Sequence, residues 1–210
     1  MTPRITRIED AGPDRKARRL VFDHGGETRL TSAAAVRELS IEQGMSFDLP
    51  ALELALAAVE LPLAKDRALR LLGYRDRSRA ELLRKLRDSG YSASLSELVV
   101  DRLAEIELLD DERFAAVWVR TRSAAGFGAR RIARELADKG IAQETAAAAM
   151  EAISDVEEQL GRARKVLRGR VGSDRKERDK LVKRLVTKGF SLQVAIQAVN
   201  GDASTCEATP

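Results

Sequence analysis

The side chains able to do chemistry in this sequence are mostly cationic. Arginines and lysines gather in RTRSAAGFGARRIARELADKG (120–140), GRARKVLRGR (161–170) and KLVKR (180–184). Guanidinium and ammonium groups at that density bind carboxylate or phosphate oxygens. Other chemistries lack their residues. With one histidine, His24, and one cysteine, Cys206, neither a His/Cys zinc site nor a Cys–His pair is credible. His24 reads as a turn residue in DHGG. No Ser-His-Asp set is suggested, and no GxxxxGK[ST] loop is present. GRARKVLRGRVG is not a phosphate-cradling loop, because no strand precedes it. Acidic residues are abundant, but nothing singles out two of them as acid and base. The expectation is a non-enzyme without cofactor or metal.

The positive charge is local. Residues 1–63 hold 8 bases and 10 acids, 64–110 hold 10 and 9, and 111–155 hold 7 and 7, whereas 156–190 hold 12 and 5. The excess therefore sits in one C-terminal segment and points to an anionic partner for it.

Such residues need elements to position them. Laid over itself at a shift of 49 or 50, the chain gives three copies: SRAELLRKLRDSGY (78–91), GARRIARELADKGI (128–141) and ERDKLVKRLVTKGF (177–190). Leu82, Ile132 and Leu181 align, as do Leu86, Leu136 and Leu185. Gly90, Gly140 and Gly189 follow, then Tyr91, Ile141 and Phe190. Apolar residues four apart share a helix face, and the glycine is a left-handed C-cap. Ser78 and Glu81 have capping-box spacing. Gly128 replaces that serine in copy two, so neighbours must set the turn there. Each copy has a leading helix (AKDRALRLL, DERFAAVWVRTR, DVEEQLGRARKVL) and a trailing one (SELVVDRLAEI, AQETAAAAMEAI, SLQVAIQAV).

The expected fold is mainly α: tandem three-helix repeats in an elongated curved array, after a small N-terminal β-hairpin/helix extension. In the extension, Val21 and Phe22 precede a turn with Gly25-Gly26, and Leu30 follows it. Ser32 caps a short helix, Gly44 ends the connection, and Pro50 opens the helix ALELALAAVE. The expected boundaries are 1–62 (extension), 63–110, 111–154 and 155–200 (repeats, the last basic) and 201–210 (disordered tail). The lone Cys206 permits no intramolecular disulfide, which fits a reducing cytoplasm. MTPRITRIED lacks a signal-peptide core, and FDLPALELALAAVELPLA carries acids and prolines unsuited to a membrane span.

Arg130, Arg131 and Arg134 flank the stripe of copy two, with Arg113, Arg120, Arg122 and Lys139 nearby. Lys180, Lys183 and Arg184 repeat this in copy three, and Arg162, Arg164, Lys165, Arg168 and Arg170 precede it. These are the candidate contacts. Arg84 and Lys85 in copy one, where acids balance bases, read as a solvated face. Phe114 and Trp118 share a helix face and read as core, and TAAAAM reads as close helix packing. Phe127, also a candidate, could either staple the helix start or project to a partner.

LLDDERFAAVWVRTRSAAGFGARRIARELADKGI (108–141) resembles the most characteristic stretch of the RecX family, regulators of the RecA recombinase. RALRLLGYRDRSRAELLRKLRDSGY (67–91) is similar to that family's first module. The resemblance covers 64–155 and extends more loosely to 199. The first 60 residues are similar to the variable β-containing extension of some members. Copy three departs from the pattern, lacking the glycine–aromatic–glycine start. The motif residues carried over are Asp110, Asp111, Arg113, Phe114, Trp118 and Arg120, then Gly126, Phe127, Gly128, Arg130, Arg131, Ile132, Leu136, Lys139 and Gly140. A monomer is expected, and the resemblance implies a small cytoplasmic protein of tandem three-helix modules that lodges in the groove of the RecA–single-stranded-DNA filament. There it would restrain ATP hydrolysis, strand exchange and coprotease action, with single- and double-stranded DNA as further partners. The alternative is a DNA-binding protein of helix-turn-helix type acting on transcription or DNA architecture. Against it, no single helix has an Asn/Arg/Gln-rich recognition face.

Overall fold

The computed structural model describes residues 2–23, 27–170 and 172–201. His24, Gly25-Gly26 and Cys206, and the expected tail from Asp202 onward, lie outside those residues. The chain divides into two compact units, Met1–Asp110 and Asp111–Pro210.

The first unit opens with three antiparallel strands in sequence order, β1 (Ile5–Ala11), β2 (Ala17–Phe22) and β3 (Thr28–Ser32). The expected hairpin is thus the β2–β3 half of a larger sheet, extended by β1. Period-2 alternation puts Leu20 and Phe22 of β2 into a core with Ile5, Ala35, Leu52 and Leu56. Leu30, read as a hairpin anchor, is exposed instead. Ser32 caps α1 (Ala33–Glu38), its Oγ accepting from Ala35 N at 3.0 Å.

α2 (Leu49–Tyr74) starts at Asp48, with Pro50 in the first turn. It runs unbroken through Pro62, so ALELALAAVE and AKDRALRLL are one helix and no break falls at 62/63. Leu52, Leu56, Glu60, Ala64 and Ala68 form one buried stripe at intervals of four, and that continuous face outweighs the proline. Pro62 lies on the exposed side, and so does Ala58, where water can take the carbonyl that loses its N–H partner. The second half of α2 packs with α3 (Arg79–Asp88) and α4 (Ala93–Glu105) around Leu82, Leu86, Tyr91, Val99 and Val100.

The second unit holds two further three-helix groups. α5 (Asp111–Ala124), α6 (Ala129–Asp138) and α7 (Gln143–Glu151) enclose Phe114, Val119, Ile132 and Leu136. α8 (Val156–Leu167), α9 (Arg175–Thr187) and α10 (Leu192–Asn200) enclose Leu160, Leu185, Phe190 and Val194. Ala146, Ala149 and Met150 of the alanine-rich α7 pack against its module's core.

The repeat signal has a common backbone cause. Gly90, Gly140 and Gly189 have φ of +93°, +72° and +96°. In each copy the next residue's N–H returns to the carbonyl five residues earlier: Tyr91 to Leu86 at 3.3 Å, Ile141 to Leu136 at 3.1 Å and Phe190 to Leu185 at 3.1 Å. This is the Schellman closure, which folds that apolar residue under its helix end. All three residues are buried. Leu181, aligned with Leu82 and Ile132, is only half-buried.

Candidate functional site

The glycine–aromatic–glycine element of copy two is a joint between the second and third modules. α6 begins at Gly128 without a side-chain cap. Its open amides are satisfied from the next module: Gly128 N donates to Lys188 O at 2.9 Å, and Arg130 N to Gly189 O at 3.0 Å. Helix N-termini leave such donors unpaired, so backbone carbonyls here replace the serine of copy one. There the Ser78 hydroxyl accepts from Glu81 N at 3.1 Å. A side chain at Gly128 would collide with the backbone of Gly189 and Phe190. Its φ of −83° is ordinary, so close approach, not backbone freedom, requires the glycine. A Cβ at Gly126 would lie 2.8 Å from Val166 of α8.

Phe127, between these glycines, packs inward under cations. Its ring centroid is 3.9 Å from the Arg122 guanidinium, 4.4 Å from that of Arg131 and 4.9 Å from Lys188 Nζ. Glu135 organises the cluster. Its carboxylate accepts two bonds from Arg122 at 2.6 and 2.5 Å, one from Arg131 at 3.1 Å and one from Trp118 Nε1 at 3.2 Å. The bonds from Arg122, then that from Arg131, hold the Glu135 carboxyl below the usual glutamate range, against the opposing effect of burial. The same bond raises the Arg122 pKa. Trp118 stacks on Phe114 at 5.8 Å, and Lys139 Nζ covers the Trp118 ring at 4.2 Å.

The sequence candidates thus separate into two sets. Arg122, Arg131, Lys139 and Phe127 are engaged within the second unit. Arg162 is half-buried too, donating to Ile153 O at 3.0 Å and pairing with Glu158 at 3.3 Å, and Arg164 is half-buried. Arg113, Arg120, Arg130, Arg134, Lys165, Arg168, Arg170, Lys180, Lys183 and Arg184 are exposed. Of these, Arg170, Lys180 and Arg184 line a groove of about 430 Å³ together with Glu177. The Glu177 carboxyl is held below its usual range by bonds from the Ser173 hydroxyl and amide. Glu135 and Lys188 are participants that sequence reasoning did not single out. The Arg131–Glu135 spacing of four was a visible clue, but the Arg122 partner, 13 residues away, was not.

Among the described residues, no group of three or more His, Cys, Asp or Glu could hold a metal ion. No helix among them is long and apolar enough to cross a membrane. The fold and surface define a class: tandem three-helix modules, the second and third locked through a glycine joint and studded with exposed cations. Two family models match in order, RecX's first three-helix domain over residues 64–103 and its second over 110–150. A regulatory protein RecX from Mycobacterium sp. (strain KMS) is 38% identical over 141 residues, covering 62% of this chain and 76% of that protein. One from Mycobacterium ulcerans (strain Agy99) is 36% identical over 143 residues, covering 65% and 82%. The chain belongs to the RecX family. In fold, it is similar to a crystal structure of regulatory protein RecX, with TM-score 0.61 at 23% identity, covering 95% of this chain and 100% of that one. RecX from Lactobacillus salivarius gives a TM-score of 0.62 at 24% identity, covering 68% and 96%.

Proposed function

We propose that this chain is a non-enzymatic regulator that binds the RecA–single-stranded-DNA filament along its groove and restrains ATP hydrolysis, strand exchange and coprotease action. The carrying observation is the joint at Gly126–Gly128, which holds two cation-bearing modules in fixed register. A filament repeats its surface, so modules at fixed spacing engage successive subunits. Each contact can be modest, because the first raises the effective concentration of the next. Binding one filament state better than another then opposes the rearrangements that turnover requires. Exposed cations on α9, with Arg168 and Arg170 before it, suit DNA phosphates or an acidic recombinase face.

The test is RecA ATP turnover on single-stranded DNA during titration with this protein. Sub-stoichiometric amounts should slow it. Unchanged turnover at saturating protein overturns the proposal.

A further inference from the structure

One pocket in the first unit has a charge pattern that its surroundings lack. It encloses about 180 Å³, and its walls include Lys16, Arg37, Arg67, Arg70, Ser89 and Tyr91. No carboxylate stands among its described lining residues. Yet residues 1–63 hold 8 bases to 10 acids, and 64–110 hold 10 to 9. The folded chain has therefore sorted its charges here. Helix α2 supplies Arg67 and Arg70, the end of α1 supplies Arg37, and the residue before β2 supplies Lys16.

The nearby acids leave much of this charge unmatched. Asp66 pairs with Arg70 at 2.5 Å, and Asp14 stands 4.0 Å from Lys16. The buried Glu60 accepts from the Thr31 hydroxyl at 2.5 Å. No carboxylate pairs with Arg37 or Arg67 among the described residues. The Arg67 Nε–H is buried and makes no hydrogen bond among the described residues. Buried donors without partners are rare and costly, so this one marks a place where an acceptor belongs. Ser89 and Tyr91 are themselves buried in the wall, the Ser89 hydroxyl already donating to Lys85 O at 2.9 Å and the Tyr91 phenol hydrogen-bonded to the Ser32 side chain. Burial pushes the Tyr91 phenol above its ordinary range, against the opposing hydrogen bond with Ser32, so it stays neutral.

We propose that this pocket binds a phosphoryl group, with Arg67 as the half-buried contact and Lys16, Arg37 and Arg70 as the exposed ones. A guanidinium fork matches the spacing of phosphate oxygens, and the cavity can take a phosphate with part of a sugar but not a folded peptide. The ligand is a free phosphate, a nucleotide phosphate or the terminal phosphate of a nucleic acid.

The full chain, in buffer free of phosphate and sulfate, is titrated calorimetrically with inorganic phosphate and with adenosine 5′-monophosphate. It is then titrated with a single-stranded oligonucleotide bearing or lacking a 5′-phosphate. Saturable binding in at least one phosphate arm is expected. Arg67→Gln should weaken it by roughly ten- to a hundredfold, the usual loss of a charge-assisted hydrogen bond. Arg37→Gln, a fully surface change that spares the fold, should weaken it by about threefold or more. The tightest arm identifies the source of the phosphate. Absence of saturable binding in every arm overturns the proposal, as does binding that both variants leave unchanged. None of these readouts involves RecA, so the result is separate from the filament titration.

Discussion

Replacing Gly128 by alanine tests the joint with a single methyl group. The backbone at Gly128, φ −83° and ψ 161°, suits alanine as well as glycine. Any loss therefore comes from the contact. The new Cβ would overlap the backbone of Gly189 and Phe190, which cannot rotate away as a side-chain tip could. The modules must part by roughly an ångström, an overpacking strain of about 1–3 kcal/mol. Parting also stretches Gly128 N to Lys188 O (2.9 Å) and Arg130 N to Gly189 O (3.0 Å). Each is worth about 1 kcal/mol. Against this, alanine restricts the unfolded chain and returns about 0.4–1 kcal/mol. The net expectation is a destabilisation of about 2–4 kcal/mol. At an m-value of about 2 kcal/mol per molar urea, the midpoint of the second unit falls by about 1–2 M. Gly161→Ala is the internal control. Gly161 sits within α8 with nothing within 4 Å of a built Cβ, so alanine there should stabilise by about 0.5–1 kcal/mol. Urea unfolding followed by circular dichroism gives both numbers, and hydrogen exchange reads the Arg130 amide directly. A Gly128→Ala protein with the wild-type midpoint and a protected Arg130 amide would refute the joint.

Two further outcomes are expected. The Glu135 carboxyl titrates lower in the folded chain than in the unfolded one, where it lies near about pH 4.3. Its contribution is therefore complete above that value and is lost as pH falls through the folded pKa. Glu135→Gln should cost about 1–3 kcal/mol at neutral pH and flatten the acid limb of the urea-midpoint profile relative to wild type. Equal acid limbs would show that the Arg122 pair is not the source. Neutralising Lys183 and Arg184 together should reduce the salt-dependence slope of DNA binding by about one to two, as read by fluorescence anisotropy across a salt series. An unchanged slope places those two side chains on protein or solvent.

The three modules were legible because helix stripe and glycine cap are local signals. Leu86, Leu136 and Leu185 are each fully buried, and the three cap glycines have positive φ. The 62/63 boundary falls inside one helix because a proline breaks a helix only where its surroundings do not hold it. The stripe from Leu52 to Ala68 does hold it. The β-favouring residues of RITRIED were legible, but the pairing of β1 with β2 is a tertiary fact that they do not carry. The alignment showed that Gly128 lacks the cap of Ser78, which located the question but not its answer. The answer lies about sixty residues downstream, in carbonyls that every sequence possesses. Backbone acceptors carry no residue signature, so no reading of side-chain types finds them.

Local charge counts overstate the contact surface for the same physical reason. Copy two has 7 bases against 7 acids over 111–155, but pairing is uneven in space. Glu135 alone takes up Arg122 and Arg131, and the aromatic rings cover or are covered by Arg122, Arg131, Lys139 and Lys188. Lys188 reaches across from the third module to Phe127, whereas Arg122, Arg131 and Lys139 are engaged inside the second module, and Arg130 and Arg134 stay exposed on α6. A carboxylate spent inside the second module is unavailable to neutralise its surface. The internal ion pairs and the exposed cations are thus two results of one arrangement. Changing Glu135 should loosen the packing of α5 on α6 and alter the outer charge at once, whereas changing Arg134 should alter the charge alone.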